Sequence, residues 1–200
     1  MGDLIDRDGF RANVGIVLMD ADGRLFLGRR SGGRGWQFPQ GGMLLGETPE
    51  EALFRELHEE IGLTAEDVTI AAQTAHWLRY RLPRRYVRRD SLPLCIGQKQ
   101  RWFLLRLAKP DAQFRFDTTG TPEFDHWRWV DYWQPVREVI YFKRPVYVRA
   151  LQELGEILSP GGLPPYPSWW GRNGGGGASA RPRRRRARGK GGAARSKAGA

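Results

Sequence analysis

Runs of apolar residues interrupted by Gly, Pro and Asp dominate the first part of the chain and return in its middle. Their lengths and their β-branched and aromatic residues are typical of strands. The first run contains the pair Asp22-Gly23, which predicts a tight turn between two antiparallel strands. The predicted strands lie in NVGIVLMDADGRLFLGRR, GWQFPQGG, VTIAAQTAHWLRYRL, QKQRWFLLRLA and HWRWVDY.

One segment, TPEEALFRELHEEIGL, carries a complete set of helix signals. Thr48 is the predicted N-cap, Pro49 occupies the first helical position, and Glu51 completes a capping box. Gly62 supplies the stop at the C-terminus. Two shorter helices are predicted at 135–141 and 145–158. Strands mixed with a few helices predict a layered α/β domain.

The capped helix has two neighbouring faces of different character. Its apolar residues recur at helical spacing and fall within an arc of about 100°, which predicts the buried stripe. Glu56, Glu59 and Glu60 occupy the adjoining arc, although like charges at this spacing repel each other. The helix alone allows two interpretations, a solvated acidic face with an Arg55–Glu59 pair or a set of ligands for a missing cation. The apolar stripe consists of Leu53, Phe54, Leu57 and Ile61.

Length and composition predict one domain with an appendage. Two hundred residues suit a domain of about 150 residues plus an extension. The single cysteine, Cys95, excludes an internal disulfide and fits a reducing compartment. We find neither the pattern of a signal peptide nor an apolar run that could span a membrane. We therefore expect a cytoplasmic protein. We also expect a monomer.

Nearly all of the net charge of +11 lies at the end of the chain. Residues 172–200 contain ten Lys and Arg, no acidic residue and no large apolar side chain. Such a segment cannot bury enough surface to order itself. We predict a domain at 1–158, a Pro/Gly linker at 159–171 and a disordered basic tail at 172–200. Its charge suits nucleic acid or an acidic protein surface, although such tails also act as solubilising segments.

The residues around the acidic helix follow a long pattern of fixed spacing. Gly41 is followed after five residues by Glu47, and seven residues later by Arg55-Glu56-Leu57-X-Glu59-Glu60-X-Gly62-Leu63. This pattern resembles the Nudix signature at every position. The resemblance implies an α/β/α sandwich with a mixed sheet, in which a loop–helix–loop motif binds divalent cations. It also implies cleavage of phosphoanhydrides in nucleoside diphosphates linked to a second group.

The chemistry of that motif explains why the acids are clustered. Mg²⁺ and Mn²⁺ prefer carboxylate and carbonyl oxygens, and a bound ion relieves the repulsion between carboxylates. The ion also neutralises phosphate oxygens and lowers the pKa of a bound water. Gly41 and Gly42 permit close approach of the backbone to a metal or phosphate, with the Gly41 carbonyl as a candidate ligand. Arg55 is placed to pair with Glu47 and tie the loop to the helix.

Segments outside the signature resemble the bacterial RNA pyrophosphohydrolase branch of the Nudix family. Those enzymes remove pyrophosphate from the 5′-triphosphate end of RNA, and the remaining monophosphate promotes decay. The likeness extends from about Asp8 to Leu158. Hydrolases of dinucleoside polyphosphates, such as diadenosine tetra- and pentaphosphate, are similar in the same segments, so that substrate class stays open. A non-catalytic RNA-binding protein is the alternative of another class. The segments are GWQFPQGG, LPLCIGQKQRWFLL, TPEFDHWRWV and YWQPVREVIYFKR.

The resemblance implies roles for individual residues. Glu56 matches the general base, and Glu56, Glu59, Glu60 and Glu123 match metal ligands, to which the Gly41 carbonyl is added. Gly42, Glu47, Arg55 and Gly62 support the motif. Candidate contacts to RNA or phosphate are Arg11, Arg30, Phe142 and Lys143 from the resemblance, and Gln98, Lys99 and Arg144 from their positions.

An arginine-rich stretch remains unassigned. HWLRYRLPRRYVRRD places six arginines between Arg79 and Arg89, with Trp77, Tyr80 and Tyr86 among them. Interleaved aromatic and basic residues suit RNA, because bases stack and phosphates pair with cations. A solubilising hairpin is the equally open alternative.

Overall fold

The structure, a computed structural model, describes residues 4–33, 35–88, 92–109, 111–159 and 162–168. The predicted tail at 172–200 and parts of the predicted linker lie outside these residues.

Eight strands and three α-helices make up the described part of the chain, and short 3₁₀ turns lie at Ala65–Asp67, Arg84–Tyr86 and Tyr141–Lys143. The strands are β1 (Phe10–Met19), β2 (Leu25–Arg30), β3 (Trp36–Gln37), β4 (Gln40–Gly42), β5 (Val68–Gln73), β6 (Leu78–Arg81), β7 (Gly97–Leu107) and β8 (Phe124–Val130). The helices are α1 (Pro49–Ile61), α2 (Gln134–Glu138) and α3 (Arg144–Leu158).

The strands form a mixed sheet, as predicted. β1 pairs in parallel with β7 along its whole length, from Phe10↔Gly97 to Met19↔Arg106. The remaining pairs are antiparallel: β2 with β1, β3 and β8, β4 with β1, and β5 and β6 with β7. β1 is buried on both faces, and α1 packs against it, which explains its continuous apolar run.

α1 and α3 lie on opposite faces of the sheet. Leu53 and Leu57 of α1 pack with Ile16 and Phe103 in one core cluster. On the other face, Tyr147 of α3 packs edge-on against Trp102, with 5.2 Å between ring centroids. Neighbouring strand residues point to opposite faces, so adjacent positions such as Trp102 and Phe103 supply both cores. The predicted α/β/α layering is therefore present.

The structure refines three predicted elements. The hairpin at Asp22-Gly23 joins β1 to β2, and the Asp20 carboxylate accepts hydrogen bonds from the Asp22 and Arg24 N–H groups. GWQFPQGG forms two short strands instead of one, since Pro39 cannot donate a ladder hydrogen bond. The last two helices are 134–138 and 144–158, with a 3₁₀ turn between them.

Part of the predicted linker packs on the domain. The Trp133 indole N–H donates to the Pro164 carbonyl at 2.8 Å, and its ring lies 4.9 Å from that of Tyr166. The Gln152 amide donates to the Tyr166 hydroxyl at 2.8 Å. The compact unit accordingly extends to Tyr166. Among the described residues, no helix has the length and apolar character needed to cross a membrane.

Candidate active site

Both ends of α1 are held by the predicted caps. The Thr48 hydroxyl accepts from the Glu51 N–H at 3.2 Å, and the Glu51 carboxylate accepts from the Thr48 N–H at 2.8 Å. At the other end Gly62 adopts a left-handed conformation with φ 75° and donates its N–H to the His58 carbonyl. These local bonds set where the helix begins and ends, and therefore which side chains share a face.

The three glutamates of the acidic face differ in exposure. Glu56 and Glu60 are buried, each with 8% of its surface exposed, whereas 42% of the Glu59 side chain is exposed. Glu56 and Glu60 border the apolar stripe, as their positions on the helix predict. A solvated acidic face therefore does not describe this helix.

The paired glycines of β4 allow two charged side chains to lie against the strand. A Cβ on Gly41 would lie 1.8 Å from Cδ of Glu56, and one on Gly42 would lie 2.2 Å from Nη2 of Arg11. Glu56 and Arg11 thus approach β4 from opposite faces, since neighbouring strand positions alternate. The two glycines thus leave room for these side chains, whereas the approach of their backbone to a metal or phosphate stays a prediction.

Arg55 ties the loop to the helix. It donates to both carboxylate oxygens of Glu47, at 2.7 and 2.9 Å, and to the Gly42 carbonyl at 2.8 Å. It also donates to Glu56 at 2.7 Å and to Glu59 at 3.2 Å. Bidentate charge-assisted bonds of this kind fix orientation as well as distance. Arg55 therefore sets the position of the loop and of the Glu56 carboxylate.

Glu60 is a carboxylate buried among other charges. It accepts from the Gln40 N–H at 3.0 Å. Burial, followed by the nearby charge of Glu56, raises its pKa well above the ordinary 4.5. Burial also raises the pKa of Glu56, against the opposing hydrogen bond and charge of Arg55. Burial therefore disfavours the charged form of both carboxylates.

Glu123 reaches the site from a distant loop. β8 pairs with β2, so that Arg30 lies opposite Phe124 and the Ser31 N–H donates to the Glu123 carbonyl. The Glu123 carboxylate accepts from Arg30 Nε at 2.8 Å. Two predicted residues, a metal ligand and a phosphate contact, therefore form an ion pair.

Lys143 is buried beside the acids. Its ammonium donates to the side-chain oxygens of Gln40 at 3.0 Å and Gln37 at 3.2 Å. Burial and the charge of Arg30 lower its pKa to about 8, while Glu60 and Glu123 act in the opposite direction. Neither glutamine was among the site residues predicted from the sequence. Their position in QFPQGG, directly before the two glycines of the signature, was the available signal.

The other predicted RNA contacts lie in different surroundings. Phe142 is half-buried among aromatic rings, and Arg144 is exposed and donates to the Arg137 carbonyl. Gln98 accepts from the Tyr80 hydroxyl, whereas Lys99 forms an ion pair with Asp6 at 2.9 Å on the other face of β7. Because adjacent strand residues alternate, Gln98 and Lys99 do not line one path.

The donor set has the chemistry of a site for a hard divalent cation. Within the residues that the structure describes, no three acidic, His or Cys side chains lie close enough together to hold a metal ion, and Arg55 bonds to both Glu56 and Glu59. Nevertheless, the buried carboxylate of Glu56 lies against the Gly41 backbone, and that of Glu60 accepts from the Gln40 N–H. The charge of Glu123 is near enough to raise the pKa of Glu60. Oxygen ligands of this kind fit Mg²⁺ or Mn²⁺ and disfavour soft metals.

The sequence of this chain is similar to those of known proteins. The NUDIX domain family model matches residues 9–151. The RNA pyrophosphohydrolase of Alkalilimnicola ehrlichii is 61% identical over 164 residues, covering 82% of this chain and 91% of that protein. The RNA pyrophosphohydrolase of Photobacterium profundum is 57% identical over 157 residues, covering 78% of this chain and 90% of that protein.

Solved structures with low sequence identity share the fold. The E. coli dihydroneopterin triphosphate pyrophosphohydrolase superposes with a TM-score of 0.55 at 21% identity, covering 69% of this chain and 92% of that one. The C. elegans Ap4A hydrolase binary complex also gives 0.55, at 20% identity, covering 74% and 97%. From the matched domain, the acidic helix and the shared architecture together, this chain belongs to the NUDIX domain family.

Proposed function

We propose that this protein is an RNA pyrophosphohydrolase, which hydrolyses the 5′-triphosphate end of RNA to a 5′-monophosphate and thereby promotes RNA decay. The bond between the α- and β-phosphates is cleaved with one water, and the products are pyrophosphate and monophosphorylated RNA. Relatives that are 61% identical over 164 aligned residues and 57% identical over 157 carry this name.

One observation in the structure carries the proposal. Buried carboxylates of α1 lie next to a buried ammonium and two guanidinium groups, those of Lys143, Arg30 and Arg11. A phosphoanhydride is a chain of anionic groups, so its binding requires cations, while its hydrolysis requires a base for water. Both kinds of group are close enough to interact electrostatically in one site.

The oxygens of Gly41, Glu56, Glu59, Glu60 and Glu123 would hold Mg²⁺ or Mn²⁺. Nudix hydrolases generally use divalent ions, which supply neutralisation of phosphate charge and a water of lowered pKa.

The protein's own groups position and deprotonate the water. Glu56 accepts its proton as the general base. Arg55 holds Glu56 in place through the 2.7 Å hydrogen bond. Arg11, Arg30 and Lys143 bind phosphate oxygens, and Phe142 stacks on a base near the 5′ end.

The decisive experiment identifies the product that carries a radioactive phosphate. Purified protein with Mg²⁺ is incubated with triphosphorylated RNA that carries radioactive phosphorus at either the γ or the α position. We expect γ-label in pyrophosphate and α-label in RNA with a 5′-monophosphate. Release of the γ-label as orthophosphate alone would contradict the proposal. The variant Glu56→Gln, purified identically, controls for contaminating phosphatases.

The same assay separates the alternatives. Diadenosine tetraphosphate is added as a competing substrate, and the two values of kcat/KM are compared. A larger kcat/KM for diadenosine tetraphosphate than for RNA would indicate a dinucleoside polyphosphate hydrolase. Binding of RNA with no hydrolysis of either substrate would indicate a non-catalytic RNA-binding protein.

We further propose that the enzyme works in the cytoplasm as a monomer. The single, half-buried Cys95 is compatible with a reducing compartment. Light scattering during size-exclusion chromatography tests the oligomeric state, and a dimer mass would overturn that part of the proposal.

A further inference from the structure

We propose that Arg85, Tyr86 and Tyr141 form a platform that binds the single-stranded RNA downstream of the 5′ nucleotides. We call this surface the tyrosine platform. The inference rests on the proposed function and extends it to a substrate contact outside the catalytic site.

The 3₁₀ turn before α3 leads from the catalytic site to the surface. The exposure of its three residues increases from Lys143 to Phe142 to Tyr141. Lys143 is buried beside the acids, Phe142 is half-buried, and Tyr141 has half of its surface exposed. The rings of Tyr141 and Phe142 meet at right angles, with 5.4 Å between centroids. A polymer whose phosphate end lies at Lys143 therefore passes Phe142 and reaches Tyr141.

The 3₁₀ turn after β6 completes the platform from the other side. The Tyr86 ring lies 5.1 Å from the Phe142 ring, and 41% of Tyr86 is exposed. The Arg85 guanidinium lies 5.0 Å from the Tyr86 ring centroid and 5.7 Å from that of Tyr141, and it contacts the Tyr141 hydroxyl at 3.4 Å. Two exposed tyrosines from separate elements thus flank one exposed guanidinium.

This combination suits single-stranded RNA. Tyrosine rings accept any base by stacking, and a guanidinium can stack on a base or pair with a phosphate. Arg84 and Arg144, also exposed, add positive charge along the same edge. An acidic peptide could use the charges, but it would not explain why the aromatic surface is continuous with Phe142 and the phosphate-binding side chains. The continuity favours the substrate itself.

A comparison of substrate lengths tests the platform. The double variant Tyr86→Ala/Tyr141→Ala is assayed on triphosphorylated RNA of two and of about ten nucleotides. We expect KM for the longer RNA to rise roughly five- to 150-fold, as expected for the loss of one base stack. We expect kcat on both RNA substrates and KM on the two-nucleotide RNA to stay at wild-type values. The double variant Tyr86→Phe/Tyr141→Phe keeps the rings and should behave like wild type.

Matched arginine variants separate a local contact from a general loss of charge. Arg85→Ala should weaken binding of the longer RNA more than Arg106→Ala, an exposed arginine near the far end of β7. Melting temperatures near the wild-type value would show that the variants are folded. If the double alanine variant melts early, a crosslinking experiment on wild-type protein replaces it. Photoreactive uridine placed beyond the second nucleotide should then label Tyr86 or Tyr141.

Three results would overturn the inference. The first is an unchanged KM of the double alanine variant on the longer RNA, and the second is an equal rise of its KM on both lengths. The third is a double alanine variant that no longer binds an acidic peptide but keeps wild-type kinetics on RNA. The last result would assign the platform to a protein partner. Failure of the proposed function looks different, because wild-type protein would then leave triphosphorylated RNA of both lengths uncleaved.

Discussion

The side chain of Glu56 occupies the space that a Cβ on Gly41 would need. An ideal Cβ would lie 1.8 Å from Cδ of Glu56 and 1.9 Å from both carboxylate oxygens. Only a residue without a Cβ fits at position 41 while Glu56 keeps this position. The absent side chain of Gly41 lets a buried carboxylate of α1 lie directly against the backbone of β4.

Gly41→Ala should displace the Glu56 carboxylate while leaving the fold intact, since the glutamate is the flexible partner. We expect kcat to fall about 10²-fold, the scale that a misplacement of about 1 Å in a catalytic group produces. Steady-state kinetics and a melting curve measure the two effects. Gly120→Ala is the matched control, because a Cβ there meets nothing within 4 Å. Wild-type kcat in Gly41→Ala would show that this close contact has no catalytic importance.

Glu56→Gln should fold normally and lose about 10²–10⁴-fold in kcat, because the amide cannot accept the proton of the attacking water. Activity on triphosphorylated RNA gives the rate, and circular dichroism gives the melting temperature. Glu50→Gln removes an exposed carboxylate from the first turn of the same helix and should keep full activity. Near-wild-type turnover in Glu56→Gln would remove this residue from the mechanism.

Metal should stabilise the protein more as the pH rises above about 4.5. Burial raises the pKa of Glu60 well above that ordinary value in the metal-free protein. Between the two pKa values the folded state holds a proton that the unfolded state has lost, so the free energy of unfolding in chelator falls as pH rises. A divalent ion requires the ionised carboxylate, so its stabilisation grows over the same interval.

The measurement is the melting temperature in chelator and in excess Mg²⁺ or Mn²⁺, from about pH 5 to pH 8. Glu60→Gln should show a smaller metal-induced increase with a flatter pH dependence. Glu66→Gln, an exposed acid outside α1, should behave like wild type. An equal metal effect in Glu60→Gln would exclude Glu60 as a ligand, and full hydrolysis in excess chelator would contradict a metal requirement altogether.

Deletion of residues 172–200 should weaken binding to long RNA at low salt, because this segment carries ten cations. Each phosphate contact on single strands contributes about 0.7 to the slope of log affinity against log salt, so the slope should flatten by several units. Turnover on a short triphosphorylated oligonucleotide should change little, since every catalytic candidate precedes the tail.

Replacing only the four arginines 183–186 by glutamine should produce an intermediate slope. Fluorescence anisotropy at several salt concentrations measures both variants. The same affinity and slope in the deleted protein would argue against RNA as the partner of the tail. An acidic protein surface would then be the better hypothesis.

The sequence alone determined the helix of the site and its acidic face. Thr48, Glu51 and Gly62 make bonds that span only a few residues, so their effect can be predicted without knowing the rest of the fold. Helical periodicity likewise placed Glu56 and Glu60 beside the buried stripe. The spacing from Gly41 to Leu63 indicated the family before any contact was known.

Only the tertiary structure decided which distant groups meet those acids. Pairing of β8 with β2 brings Glu123 to Arg30, and the turn before α3 places Lys143 against Gln37 and Gln40. The face of β7 on which Lys99 lies depends on the phase of the whole strand. Such contacts join residues far apart in the chain, and their register is chosen by packing over the entire sheet. Local propensity carries no information about that choice.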